Sequence, residues 1–144
     1  MKVEDIINQI YAQTKVIGQC GAMKGTEDFA AICRLFKSAI GVEYCIEHHF
    51  PNMATLRMFK PYNPEQYGIY IDAGVITLKN PRQVLLCGRT SATINCDSLE
   101  HRHEVILMHG AKAVVNASKW AVCSVTVEQG CSVIKNTSDN AIIL

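Results

Sequence analysis

The densest group of titratable side chains in this chain is His101-Arg102-His103-Glu104. In an extended segment alternate side chains share a face, so both imidazoles would lie together, as a metal site requires. However, neither a Cys-x2-Cys nor a His-x3-His spacing occurs anywhere in the sequence to supply further ligands. We therefore predict no metal and no cofactor, and we interpret this cluster as an exposed polar loop that completes a coil.

Other potentially catalytic residues lack the partner side chains that catalysis requires. The chain has no G-x-S-x-G elbow, and no cysteine has a histidine at a motif spacing. His48-His49 suits the last turn of a helix, where a histidine interacts with terminal carbonyl groups. The acidic residues also form no recognisable catalytic pair; they include Asp72, Asp97, Glu100 and Glu128. The sequence predicts a protein that is not an enzyme and has no catalytic residue.

The amino-acid composition limits the classes of protein to which this chain can belong. The net charge of +1 gives no global signature of nucleic-acid or membrane binding, and 49% hydrophobic residues suffice for a core. Seven cysteines are an odd number for a disulfide framework, and the charged start Met1–Ile6 is unlike a secretion signal. No stretch approaches the roughly 20 apolar residues of a membrane span. We expect a cytoplasmic protein with reduced thiols.

The first 62 residues show helical periodicity. Val3, Ile6, Ile7 and Ile10 begin an amphipathic stripe that Gly18 ends. A second helix is expected from an N-cap at Thr26 to Gly41. Residues 42–60 fit a strand or two short helices; we favour helices, broken at Phe50-Pro51 and capped again by Asn52. Residues 61–64 then form a linker to a second domain at 67–144.

Two binding hypotheses follow from this layout. The short helices at 42–60 have the proportions of a helix-turn-helix, a DNA-binding motif. Its groove-facing side chains would be Asn52, Thr55, Arg57 and Lys60. Alternatively, a small molecule such as a nucleotide or sugar would bind between coils or between subdomains. Its candidate contacts are Arg89, Arg102, Lys112 and Trp120.

The second half of the chain repeats itself. Alignment on four asparagines places the same apolar columns upstream of each, and a glycine bend lies between two short segments. The asparagines are Asn80, Asn95, Asn116 and Asn136, spaced by 15, 21 and 20 residues. Periods near 20 are typical of stacked β-solenoids, in which each coil buries its apolar face against its neighbours. The sequence predicts an α+β protein: an N-terminal helical subdomain and a short right-handed parallel β-solenoid of three to four coils.

The repeat also makes specific predictions. Trp120-Ala121-Val122-Cys123 returns as Asn140-Ala141-Ile142-Ile143, which indicates a third strand in each coil, absent from an incomplete entry coil. The asparagines either form a hydrogen-bonded ladder or supply left-handed corners. Leu107 should be buried between Leu86 and Val127, whereas Lys112 should face outward beside Ile76, Ser91 and Ser132.

The end of the repeat motivates the leading functional hypothesis. No polar cap follows the last apolar segment, and an uncovered solenoid coil recruits other strands. We expect a homo-oligomer, or a protein partner that caps this coil, with contacts through Trp120, Ile142, Ile143 and Leu144.

Several motifs along the chain resemble those of small proteins encoded in prophages and mobile elements of gut anaerobes. These motifs are Gly25-Thr26-Glu27-Asp28, Cys45 with His49-Phe50-Pro51 and Thr55-Leu56-Arg57, Gly68–Asp72, Arg102–Ala113 and Asp139–Leu144. The resemblance implies a phage-like origin, but it brings no activity or catalytic residue.

Overall fold

A computed structural model describes residues 2–18, 21 and 23–144, which divide into two compact units, residues 1–69 and 70–144. The first unit is helical. Its elements are α1 (Val3–Ile17), α2 (Phe29–Lys37), α3 (Ala39–His48) and α4 (Met53–Arg57), followed by 3-10 turns at Lys60–Tyr62 and Pro64–Tyr67. Gly18 ends α1 by donating its N–H to the Thr14 carbonyl. The core of this unit includes Ile10, Ile32, Phe36, Leu56 and Phe59.

The second helix differs from the expectation at both ends. Its N-cap is Asp28 and not Thr26, since the Asp28 carboxylate accepts from the N–H of Ala31. It ends at Lys37 because the Ser38 hydroxyl accepts from the Gly41 N–H and so starts α3. Gly41 therefore lies inside a helix. A Cβ there would stand 1.7 Å from the Leu35 carbonyl oxygen, so glycine permits this close approach.

Residues 42–60 are helical, as favoured from the sequence. His49 caps the C-terminal end of α3. Its left-handed backbone (φ 50°) directs its N–H to the carbonyl oxygens of Cys45 and Ile46. Asn52 caps α4 through its side-chain oxygen, as predicted.

The second unit is a parallel β-solenoid of about four coils. Its strands are β1 (Ile69–Ile71), β2 (Gly74–Lys79), β3 (Gln83–Cys87), β4 (Thr90–Cys96), β5 (His103–Met108), β6 (Lys112–Ala117), β7 (Val122–Val127), β8 (Ser132–Thr137) and β9 (Ile142–Ile143). Odd-numbered strands form one sheet and even-numbered strands the other, each in chain order. Apolar side chains fill the space between the sheets, and Leu107 is fully buried between its register partners Leu86 and Val127, as predicted.

Each coil contains two strands, so the prediction of three is wrong. Lys119 and Trp120 have left-handed φ values of 53° and 66° and form a tight turn, and Val122 already belongs to the next coil. The repeated segment is in the predicted register, since Val122 pairs with Ile142 and Cys123 with Ile143. The two-strand coil follows because a turn with two left-handed residues reverses the chain without an intervening strand.

The alignment of the first coil is also wrong, by one residue. Asn95 pairs with Lys79 and not with Asn80, so the partner of Ser91, and hence of the Lys112 column, is Val75 and not Ile76. A one-residue slip moves every side chain of a strand to the opposite face. The observed register places Leu78 beside Ile94 on the core side, so burial of apolar side chains overrides the asparagine spacing.

Candidate interaction surface

The outermost coil of the solenoid exposes large apolar side chains. The exposed fractions are 62% for Trp120, 59% for Ile134, 52% for Ile142 and 62% for Leu144. Half of the large hydrophobic residues that are exposed among the described residues lie between Trp120 and Leu144. Three of the four residues proposed from sequence as contacts are thus at the surface. Ile143 instead packs against the solenoid core. We call Trp120, Ile134, Ile142 and Leu144 the outer-coil patch.

Strand β8 carries a lysine in a column that is apolar in the coils before it. Lys135 pairs with Val115, which pairs with Ile94, and both of these are fully buried. Lys135 itself is exposed. A charge on the core-side column of an outermost strand discourages unspecific edge-to-edge pairing, because pairing would bury that charge.

Three of the four asparagines form a ladder on the outer face of the even-numbered sheet. The Asn116 amide donates to the Asn95 side-chain oxygen over 3.0 Å, and the Asn136 amide donates to Asn116 over 2.9 Å. Parallel in-register strands bring the amides together at one strand spacing. The ladder interpretation is therefore confirmed for Asn95, Asn116 and Asn136.

Asn80 confirms the other interpretation, a left-handed corner, with φ of 50°. Its side-chain amide donates to the Asp97 carboxylate over 2.8 Å, and its oxygen accepts the N–H groups of Asp97 and Ser98. The hydrogen bond from the Asn80 amide, and then the charges of Lys79 and Lys119, hold the pKa of Asp97 below its usual range. Asn80 thus fixes the turn that leads from β4 to β5.

A polar groove of about 360 Å³ runs beside the ladder. Its lining combines the ladder asparagines with the last residues of β4, β6 and β8 and the first residues of the turns that follow them. The turn residues that contribute side chains include Asp97, Ser118 and Ser138. Cys96, the last residue of β4, also lines this groove and is 1% exposed.

The histidine cluster is not an exposed loop, which corrects the sequence interpretation. His103 is 0% exposed, its Nδ1 lies 2.8 Å from the Pro81 carbonyl oxygen and its Nε2 lies 3.1 Å from that of Ser98. Both ring nitrogens are therefore occupied, and His103 has no nitrogen left for a metal. Its ring stacks edge-on against His101 at 4.7 Å between centroids. This histidine ties the turn between β4 and β5 to the preceding coil.

The residues proposed to contact DNA have divided roles. Thr55 is 3% exposed and accepts a hydrogen bond from Gln13, so it does not face a groove. Asn52 is exposed, and its side-chain oxygen caps α4. Arg57 and Lys60 are exposed. The helix α4 has only five residues, less than two turns. The structure thus corrects one of the four proposed contacts, Thr55.

The residues proposed for small-molecule capture do not converge. Arg89 precedes β4 and Lys112 opens β6, whereas Arg102 and Trp120 lie beyond the other ends of these strands. A six-residue strand spans about 20 Å, so the two pairs lie at opposite edges of the sheet.

Sequence reasoning missed two features that had a readable signal. The first is a ten-residue half-period: Ala111, Ala121, Cys131 and Ala141 each follow a two-residue turn. The second is Lys135, the one charged residue within a column that is otherwise apolar. An alignment of the sequence in steps of ten residues would have shown both features.

Among the described residues, every helix is too short or too polar to cross a lipid bilayer. Comparisons of the chain with protein-family models, with curated proteins and with solved structures gave no match.

Proposed function

We propose that this chain is a non-enzymatic assembly protein that associates with a second copy of itself through the outer-coil patch. The observation that carries the proposal is the concentration of exposed apolar side chains on Trp120, Ile134, Ile142 and Leu144. Several large apolar side chains exposed on one coil mark a candidate protein interaction site. The prophage or mobile-element origin implied by the resemblance is part of this proposal.

The unpaired edge of β8 supports association by strand addition. Strand β8 pairs with β6 on one side, and β8 is the last member of its sheet in the described chain. Its outward N–H and C=O groups can therefore pair with another strand. Lys135 limits the geometries that are allowed, because any arrangement that buries its ammonium group without a carboxylate is costly. We infer a defined small oligomer and not an open fibre.

The roles of the titratable groups support a non-enzymatic function. His103 bonds two carbonyl groups, and Asp97 is held by Asn80. Glu128 is 4% exposed and accepts the backbone N–H of His109 over 2.9 Å. Each of these side chains thus holds a turn of the solenoid.

Light scattering after gel filtration, over a range of concentrations, tests this proposal. We expect a mass of two or more chains that falls towards one chain on Ile134→Lys or Ile142→Lys. Val75→Lys is the matched control, since Val75 is 90% exposed at the opposite edge of the same sheet. A wild-type protein that stays monomeric at the highest concentration, or a Val75→Lys variant that dissociates equally, overturns the proposal.

A further inference from the structure

Two columns of polar side chains line the groove at the end of the even-numbered sheet. The first column is the asparagine ladder, formed by Asn95, Asn116 and Asn136. The second column lies two residues further along the chain and consists of Asp97, Ser118 and Ser138. Residues two apart in an extended chain share a face and are separated by about 7 Å, which sets the distance between the columns.

The register of the strands continues into the second column. The Ser118 N–H donates to the Cys96 carbonyl over 2.9 Å. In the next coil the Ser138 N–H donates to the Ala117 carbonyl over 3.0 Å. Equivalent residues of successive coils are therefore one strand spacing apart, about 4.8 Å, in both columns.

Both columns retain capacity for further hydrogen bonds. A side-chain amide has two N–H donors, and the ladder uses one from Asn116 and one from Asn136, so each keeps a second donor. Within the described part of the chain, the hydroxyl groups of Ser118 and Ser138 have no hydrogen-bond partner. The side chain of Asp97 is 35% exposed and adds carboxylate acceptors. The groove thus offers donors and acceptors in two rows that share one repeat distance.

The repeat distance and the charge of the groove select a class of ligand. An extended peptide advances about 3.3 Å per residue, so its polar groups would fall out of step with coils about 4.8 Å apart. A pyranose unit in an extended β-1,4-linked chain advances by nearly one coil spacing, and it carries hydroxyl groups on both edges of the ring. The one charged residue in the lining, Asp97, is paired with Lys119 at 4.0 Å, so the groove favours a neutral ligand.

We propose that this groove binds a short β-1,4-linked oligosaccharide that runs along the solenoid axis. Three coils give two spacings, about 10 Å in total, which accommodates about three sugar units. Hydroxyl groups on one edge of the sugar chain accept from the second N–H groups of the ladder amides. Those on the other edge bond the two serine hydroxyls and donate to the Asp97 carboxylate. The groove lies within one chain, so this binding does not depend on the self-association proposed above.

Titration of the isotope-labelled full chain with cellotriose, followed by NMR spectroscopy, tests the proposal. We expect the side-chain amide signals of Asn116 and Asn136 to shift. Binding should strengthen from cellobiose to cellotriose, because the longer chain reaches all three coils. Maltotriose is the control ligand, since its α-1,4 linkages curl the chain and take its hydroxyl groups out of register. It should bind at least about fivefold more weakly, which corresponds to the loss of one hydrogen bond.

A pair of matched variants separates binding from folding. Ser118→Ala removes a hydroxyl group that makes no hydrogen bond with another described residue, so the fold should be retained. We expect it to bind cellotriose about fivefold more weakly than wild type. Ser91→Ala, at an exposed position at the other end of β4, should bind as wild type does. Absence of amide shifts at millimolar cellotriose, equal binding of maltotriose, or an unchanged affinity of Ser118→Ala overturns the proposal.

Discussion

The side-chain amide of Asn136 donates a 2.9 Å hydrogen bond to the side-chain oxygen of Asn116, one strand away in the same sheet. Asn116 in turn donates to Asn95. Since Asn116 is the only member that both donates to and accepts from another asparagine, it couples three consecutive coils.

Replacing the central amide should weaken the stack by a small, measurable amount. Asn116→Ala removes two hydrogen bonds at a partly buried site, so we expect a loss of about 1 kcal/mol in the free energy of unfolding. Urea denaturation measures it. Ser91→Ala, at an exposed position of the same sheet, is the control and should stay within about 0.5 kcal/mol of wild type. Equal effects of the two substitutions would show that the ladder contributes nothing.

Truncation of a buried core residue should reduce the free energy of unfolding more than loss of the ladder hydrogen bonds does. Leu107 is fully buried, so Leu107→Ala should cost about 2 to 5 kcal/mol through lost burial and a residual cavity. Lys112 is exposed on the neighbouring sheet, and Lys112→Ala should change stability by less than about 0.5 kcal/mol. Denaturant melts of the two variants compare them directly. A costlier Lys112→Ala would refute the register.

Stability should depend on acid pH through Asp97. The pKa of Asp97 is depressed in the folded state, mainly by the Asn80 amide, so the folded protein binds fewer protons than the unfolded chain. Stability from this group is present above the unfolded pKa of about 3.9 and is lost as pH falls through the folded value. Chemical denaturation at a series of pH values below about 5 measures this slope.

Asn80→Gly should flatten that slope, because it removes the amide while glycine retains the left-handed backbone. Asn140→Gly is matched to it, since Asn140 has a φ of 62° in another turn. The control should keep the wild-type slope. An unchanged slope in Asn80→Gly would contradict the role assigned to this hydrogen bond.

The charge of Lys135 should limit unspecific association through the edge of β8. Lys135→Val would continue the apolar column of Ile94 and Val115 to the outermost strand and remove its charge. We expect larger, heterogeneous assemblies by light scattering, because an uncharged strand edge pairs readily. Lys112→Val, on the outer face of the adjacent strand, serves as the control. A Lys135→Val variant with the same mass as wild type would show that the charge does not limit association.

The helices and most of the solenoid columns were evident in the sequence. Helical periodicity and caps are local signals, which is why α1, the helices at 42–60 and the Asn52 cap were predicted correctly. The columns through Leu86, Leu107 and Val127 were readable because stacked coils repeat the same burial pattern.

Only the tertiary structure decided which strands pair and which polar groups are buried. Asn80 matches the other asparagines in type, yet burial of Leu78 shifts the register by one residue and leaves Asn80 to hold Asp97. His103 looked like an exposed loop residue, but it lies against the Ser98 carbonyl of its own turn and the Pro81 carbonyl of the preceding coil. The contacts of Asn80 with Asp97 and of His103 with Pro81 join segments about 20 residues apart. A sequence pattern specifies spacing along the chain but not the neighbour that a fold brings into contact.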